Sequence, residues 1–138
     1  MSLRKISLQV GAACGMALLV MVLAWGKEYT MQTTTLVPGA VAKLDVNTNA
    51  GNTELTLKVE HLAKPSLLSP PAGAYVVWVQ QEGHEPINEG ALRIDKNLKG
   101  DCKATTTAPR FTVLVTAEEN AKAQTPSSRV VLSANVQE

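Results

Sequence analysis

Two hydrophobic patterns divide the chain. No residue from Val10 to Trp25 is charged or strongly polar, and Ile6, Ser7, Leu8 and Gln9 extend this run to about 20 positions. A helix of that length, rising about 1.5 Å per residue, just crosses a hydrocarbon core of about 30 Å. Beyond Trp25 the period changes. Ala42, Leu44 and Val46 alternate with Lys43, Asp45 and Asn47, and Leu55, Leu57 and Val59 alternate with Thr56, Lys58 and Glu60. A period of two puts one face of a strand in a core and the other in water. Residues 47–52, rich in Asn and Gly, read as the turn between these two strands.

Farther along, Tyr75, Val76, Val77, Trp78 and Val79 form a continuous apolar run within 74–80, the mark of a central strand buried on both faces. Weaker strands are expected at 91–94 and 103–107, the latter at a sheet edge, and stronger ones at 110–117 and 129–136. Pro65, Pro70, Pro71 and Gly73 mark a long crossing loop, residues 83–90 a polar one, and Pro126 a third. No window after residue 27 has sustained helical spacing. The pattern predicts an all-β fold, a seven-stranded antiparallel immunoglobulin-like β-sandwich, preceded by an N-terminal hydrophobic helix. Trp78 is expected in its core beside Val113 and Val115. Residues 27–38 lack apolar periodicity and read as a linker or a loosely held first strand, with the sandwich domain at 39–138.

Charge orients the apolar run. Arg4 and Lys5 precede it and should stay in the cytoplasm, which makes everything after Trp25 extracytoplasmic. Two fates fit residues 1–26. As a signal peptide the segment would be cut before Trp25 or Lys27, leaving a periplasmic or secreted domain. As a single transmembrane anchor it would keep Trp25 and Lys27 at the interface, where indole and ammonium both sit well. Lipidation at Cys14 is disfavoured, because the apolar stretch before it, Ile6 to Val10, is only five residues long and a longer one follows.

Composition narrows the partners. Thirteen Lys and Arg against twelve Asp and Glu leave a formal charge of +1 over 138 residues, without the concentrated positive field that nucleic acid requires. The two cysteines, Cys14 in the apolar run and Cys102 in the β region, are poorly placed to pair within one chain. Cys102 reads as a spare small residue, or else as an intermolecular or reactive thiol.

Catalytic chemistry is not visible. His61 and His84 are the two histidines, and both fall in predicted loops, where an exposed polar role is expected. No Cys and His cluster suits zinc. Asp45, Asn47 and Asn49 imitate the start of an EF-hand loop, but Ala50 stands where glycine is needed and Thr56 where a bidentate Glu is needed. No catalytic, cofactor or metal site is therefore expected. Binding is expected in the loops 80–88 and 118–128.

The stretch from Tyr75 onward resembles the carboxy-terminal extracytoplasmic domain of the anti-sigma-K factor family. The resemblance rests on Tyr75, Trp78 and Val79 in one strand, Gly90 after a polar loop, Phe111, Val113, Val115, Thr116 and Glu118 in a late strand, and Thr125 with Pro126 before the last one. It implies an outer domain in a bacterial envelope without the sigma-binding half, since only five residues, 1–5, precede the apolar run. The function expected is that of an interaction or sensory module with a protein partner, attached to the membrane if residues 1–26 are retained. The alternative is a structural envelope or surface-filament subunit that self-associates.

Overall fold

The computed structural model describes residues 26–137. The apolar run, with the helix expected there, lies outside the described residues. Among the described residues no helix is long and apolar enough to cross a membrane.

Among the described residues nine strands form two antiparallel sheets: β1 (Gly26–Thr30), β2 (Gln32–Thr33), β3 (Val41–Asn49), β4 (Asn52–Glu60), β5 (Ala74–Gln81), β6 (Ile87–Leu92), β7 (Gly100–Thr106), β8 (Arg110–Glu118) and β9 (Val130–Gln137). The first sheet runs β1-β3-β4-β7 and the second β2-β9-β8-β5-β6. Seven strands were expected. The two additional ones come from residues 26–33, where one extended segment pairs with β3 and then, after Met31, crosses to pair with β9. Met31 is buried at the crossing, and its amide donates to the carbonyl of Ala42 at 2.9 Å. Pairing, rather than apolar periodicity, makes this segment a strand.

The predicted alternation in β3 and β4 holds. Ala42, Leu44, Val46, Leu55, Leu57 and Val59 face the second sheet, which supplies Tyr75, Val77, Val79, Phe111, Val113, Val115 and Val136 to the same core. The hairpin turn is tighter than expected, because only Ala50 and Gly51 lie outside the strands, with φ of 51° and 83°. Positive φ at both central residues is the two-residue hairpin geometry that matches strand twist.

Topology sorts the loops. The 50–51 turn, the β5–β6 loop, the β7–β8 loop, the start of β1 and the end of β9 share one end of the sandwich. The β2–β3, β4–β5, β6–β7 and β8–β9 loops share the other. Chain entry at Gly26 and the long loops are thus at opposite ends.

Candidate functional site

Strand β5 is buried on both faces, as its apolar run predicts, but the phase differs from expectation. Tyr75, Val77 and Val79 point into the inter-sheet core, whereas Val76 and Trp78 are fully buried yet stand outside that core cluster. Trp78 pairs across the sheet with Leu114, so it shares a face with Leu114 and Thr116 and not with Val113 and Val115. Trp78 therefore does not lie beside Val113 and Val115, contrary to the expectation from sequence. In a continuous apolar run either face can hold the bulky ring, and the sequence carries no phase.

The cover on this outer face is the β8–β9 loop. The indole N–H of Trp78 donates to the Thr116 hydroxyl at 2.8 Å, and that hydroxyl donates to Oε2 of Glu118. The same carboxylate oxygen accepts the Ser127 amide at 2.8 Å, while the Ser127 hydroxyl donates to the carbonyl of Ala117 at 3.1 Å. A relay of side chains thus ties the buried ring to the returning arm of the loop. Asn88 holds the outgoing arm, because its Nδ2 donates to the carbonyls of Ala121 at 3.0 Å and Ala123 at 2.8 Å.

A bulge aims Asn88 there. Val77 pairs with Gly90 and Trp78 with Asn88, leaving Glu89 as the extra residue. The bulge turns the Asn88 side chain onto the Trp78 face, and its Oδ1 accepts the amide of Gly90, whose φ is 117°. Sequence reading missed β6 before residue 91, because Asn88, Glu89 and Gly90 read as loop.

The β4–β5 loop is pinned to the same structure. Tyr75 donates its hydroxyl to the carbonyl of Ala63 at 2.6 Å, and Arg129 donates Nη2 to the carbonyl of Pro70 at 2.6 Å. The Ser69–Pro70 peptide is cis. A Cβ at Gly73 would collide with the carbonyl oxygen of Glu119, so glycine lets the two loops touch. Burial pushes the Tyr75 hydroxyl up to about 12, against the opposing charge of Arg129. Leu67, on a 3-10 turn of this loop, is 71% exposed. The result is a fixed loop surface carrying an apolar tip.

No protein-family model matches the chain, and no curated protein sequence matches it.

The two expected recognition loops lie at opposite ends, with 118–128 in the loop surface and 80–88 at the end where the chain enters. The histidines are separated in the same way. His61 follows β4 with φ of 57°, and His84 sits in the β5–β6 turn, its Nδ1 at 3.1 Å from the carbonyl of Glu82. Asp45, Asn47 and Asn49 all belong to β3, paired residue by residue with β4, so the EF-hand imitation is a strand. Among the described residues no group of three or more His, Cys, Asp or Glu is placed to hold a metal ion. Cys102 is a half-buried free thiol on β7, raised by burial and further by the charges of Glu89 and Asp101. Asn88, Ser127 and Arg129 were not singled out by sequence reading. Each acts through a polar contact more than 8 positions away or through backbone, and neither leaves a periodic signal.

Proposed function

We propose that this chain is an extracytoplasmic β-sandwich module of a bacterial envelope that acts by binding a protein partner rather than by catalysis. Residues 1–26 direct it there and then either anchor it or are removed. One observation carries the reading: two long loops are locked together at the end of the sandwich farthest from Gly26, and they present Leu67 to solvent. Loops fixed in advance lose little entropy on binding, and in an anchored chain this end projects away from the bilayer.

The order β9-β8-β5-β6 supports an immunoglobulin-like assignment, since it follows the pattern of the sheet in which such domains place their last strands beside the third. The first sheet supports it too, since β3 and β4 then stand as the first two strands, which such domains keep in one sheet. Relationship to the outer domain of anti-sigma-K factors is part of the proposal; of the residues that carry the resemblance, Val79, Phe111, Val113 and Val115 are in the core, Trp78, Thr116 and Glu118 form the relay, and Pro126 precedes Ser127.

The experiment joins location to partner. A reporter fused after Glu138 should be active only outside the cytoplasm, and activity inside would overturn the localisation. A photo-reactive residue at Leu67, on the loop surface, should give a discrete adduct in intact envelopes, whereas one at Lys58, on the outer face of the first sheet, should not. No adduct at Leu67, or equal adducts at both, would overturn the assignment of the binding surface. A structural envelope subunit is the second reading, favoured by the edge of β7, with which no other strand pairs among the described residues.

A further inference from the structure

The two flanks of the sandwich differ. On one, the segment 26–33 passes from sheet to sheet and closes the gap. On the other, β6 and β7 are both terminal strands, and among the described residues none pairs with the outer edge of β7. Strand β7 is seven residues long, contains no proline, and pairs with β4 without a bulge. All its residues are half-buried or exposed. Edges of this kind recruit another strand unless something blunts them.

The backbone fixes which groups β7 offers. In a two-residue hairpin the residues flanking the turn, Asn49 and Asn52, form a hydrogen-bonded pair, and the pairs alternate from there. Leu44 and Leu57 are consequently a non-hydrogen-bonded pair, so the N–H and C=O of Leu57 point away from β3, towards Cys102 on β7. Cys102 in turn directs its own backbone groups to β4, and the groups aimed outward belong to Asp101, Lys103 and Thr105.

We propose that the chain pairs with a second copy of itself through β7, antiparallel about a two-fold axis at Cys102, joining the two four-stranded sheets into one of eight strands. This uses an edge away from the loop surface and goes beyond the function proposed above. Charge selects the register. With the axis at Cys102, Asp101 of each copy lies opposite Lys103 of the other, in the hydrogen-bonded pairs, twice over. Centring on Asp101 would oppose two carboxylates, and centring on Lys103 would oppose two ammonium groups, both unfavourable. A slip of one residue would turn the buried face outward.

One further feature fits this register. Gly100 meets Ala104 of the second copy, a pair small enough for close approach.

Cys102 faces Cys102 of the second copy as a non-hydrogen-bonded pair, with Cα atoms about 4.5 Å apart, inside the span a disulfide bridges. This provides the assay. Full-length chain carrying Cys14→Ser is purified in detergent and treated with diamide, a diazene oxidant. Each thiol loses its proton, and the two electrons reduce the N=N bond to a hydrazine as the S–S bond forms. A covalent dimer is expected, absent in Cys102→Ala. Lys103→Glu, whose neighbour within the sheet is the uncharged Thr56, should lower the dimer yield about tenfold. Adding Asp101→Lys to it restores opposite charges between copies and should restore the yield. Sedimentation without oxidant should follow the same order, and circular dichroism should show each variant folded. Should the double variant fail to fold, Lys103→Gln supplies the comparison, with a yield between parent and Lys103→Glu. Undiminished cross-linking in Lys103→Glu, no restoration in a folded double variant, or assembly beyond dimers through Cys102 would overturn the proposal.

Discussion

Trp78→Ala tests the loop cover most directly. The indole is fully buried between the outer face of β5 and β8 and the β8–β9 loop, and its N–H is satisfied by Thr116 at 2.8 Å. Emptying a buried Trp site costs about 3 to 5 kcal/mol. Loss of the indole donor is included in that range, at about 1 kcal/mol. Against a net stability of about 5 to 15 kcal/mol for a domain of this kind, the substitution removes a large share. Trp78→Phe, which keeps an aromatic ring but loses the donor, should cost about 1 to 2 kcal/mol. Urea titration followed by far-ultraviolet circular dichroism gives both values from the shift in midpoint at constant slope. Location can be checked separately by hydrogen exchange. The Ser127 amide, bound to Glu118, should lose protection in Trp78→Ala before amides of the β3–β4 hairpin do. A midpoint unchanged within error would refute burial. A loss of protection confined to β3 and β4, with the 119–128 loop unaffected, would put the ring back between the sheets and refute the relay.

Two other substitutions address separate parts of the fold. Ala50→Gly should stabilise the chain by about 1 kcal/mol, because Ala50 occupies φ of 51°, where a side chain is disfavoured; an unchanged or lower urea midpoint would contradict the turn geometry. Tyr75 should make stability fall at alkaline pH. Its folded value of about 12 lies above the ordinary 10.0, so its contribution is whole below pH 10 and is lost as pH rises through about 12. Tyr75→Phe should flatten that part of the profile, and an identical alkaline slope in the two proteins would count against the buried hydroxyl.

The parts of the fold that were legible are those where burial imposes a period. Leu44, Leu57 and their neighbours alternate because only one face of their strands meets the core. Residues 74–80 announced a strand buried twice over, and the structure agrees, but a run without alternation cannot say which face Trp78 takes. Residues 26–33 expose most of their side chains and owe their strands to hydrogen bonds with β3 and β9, so neither strand writes itself into hydropathy. The loop surface was less legible again. Of its polar ties, Thr116 and Glu118 fall at the end of a strand the pattern predicts but carry no sign there of their hydrogen bonds, and Ser127 reaches Glu118 by a backbone amide, which any residue but proline could supply. Asn88 depends on a bulge, and a bulge depends on how two strands meet.

The crossing at Met31 has a mechanical side. Strand β1 runs from Gly26 towards the loop end, antiparallel to β3, with five residues in register. Tension entering at Gly26 and resisted at the loop end pulls β1 along its own axis, so its bonds to β3 share the load in shear instead of opening one at a time. Behind them, the Thr34 amide and hydroxyl donate to the carbonyls of Val131 and Val130, which carries the same pull into the second sheet. A domain tethered at that point would transmit force through both sheets before it yielded in either.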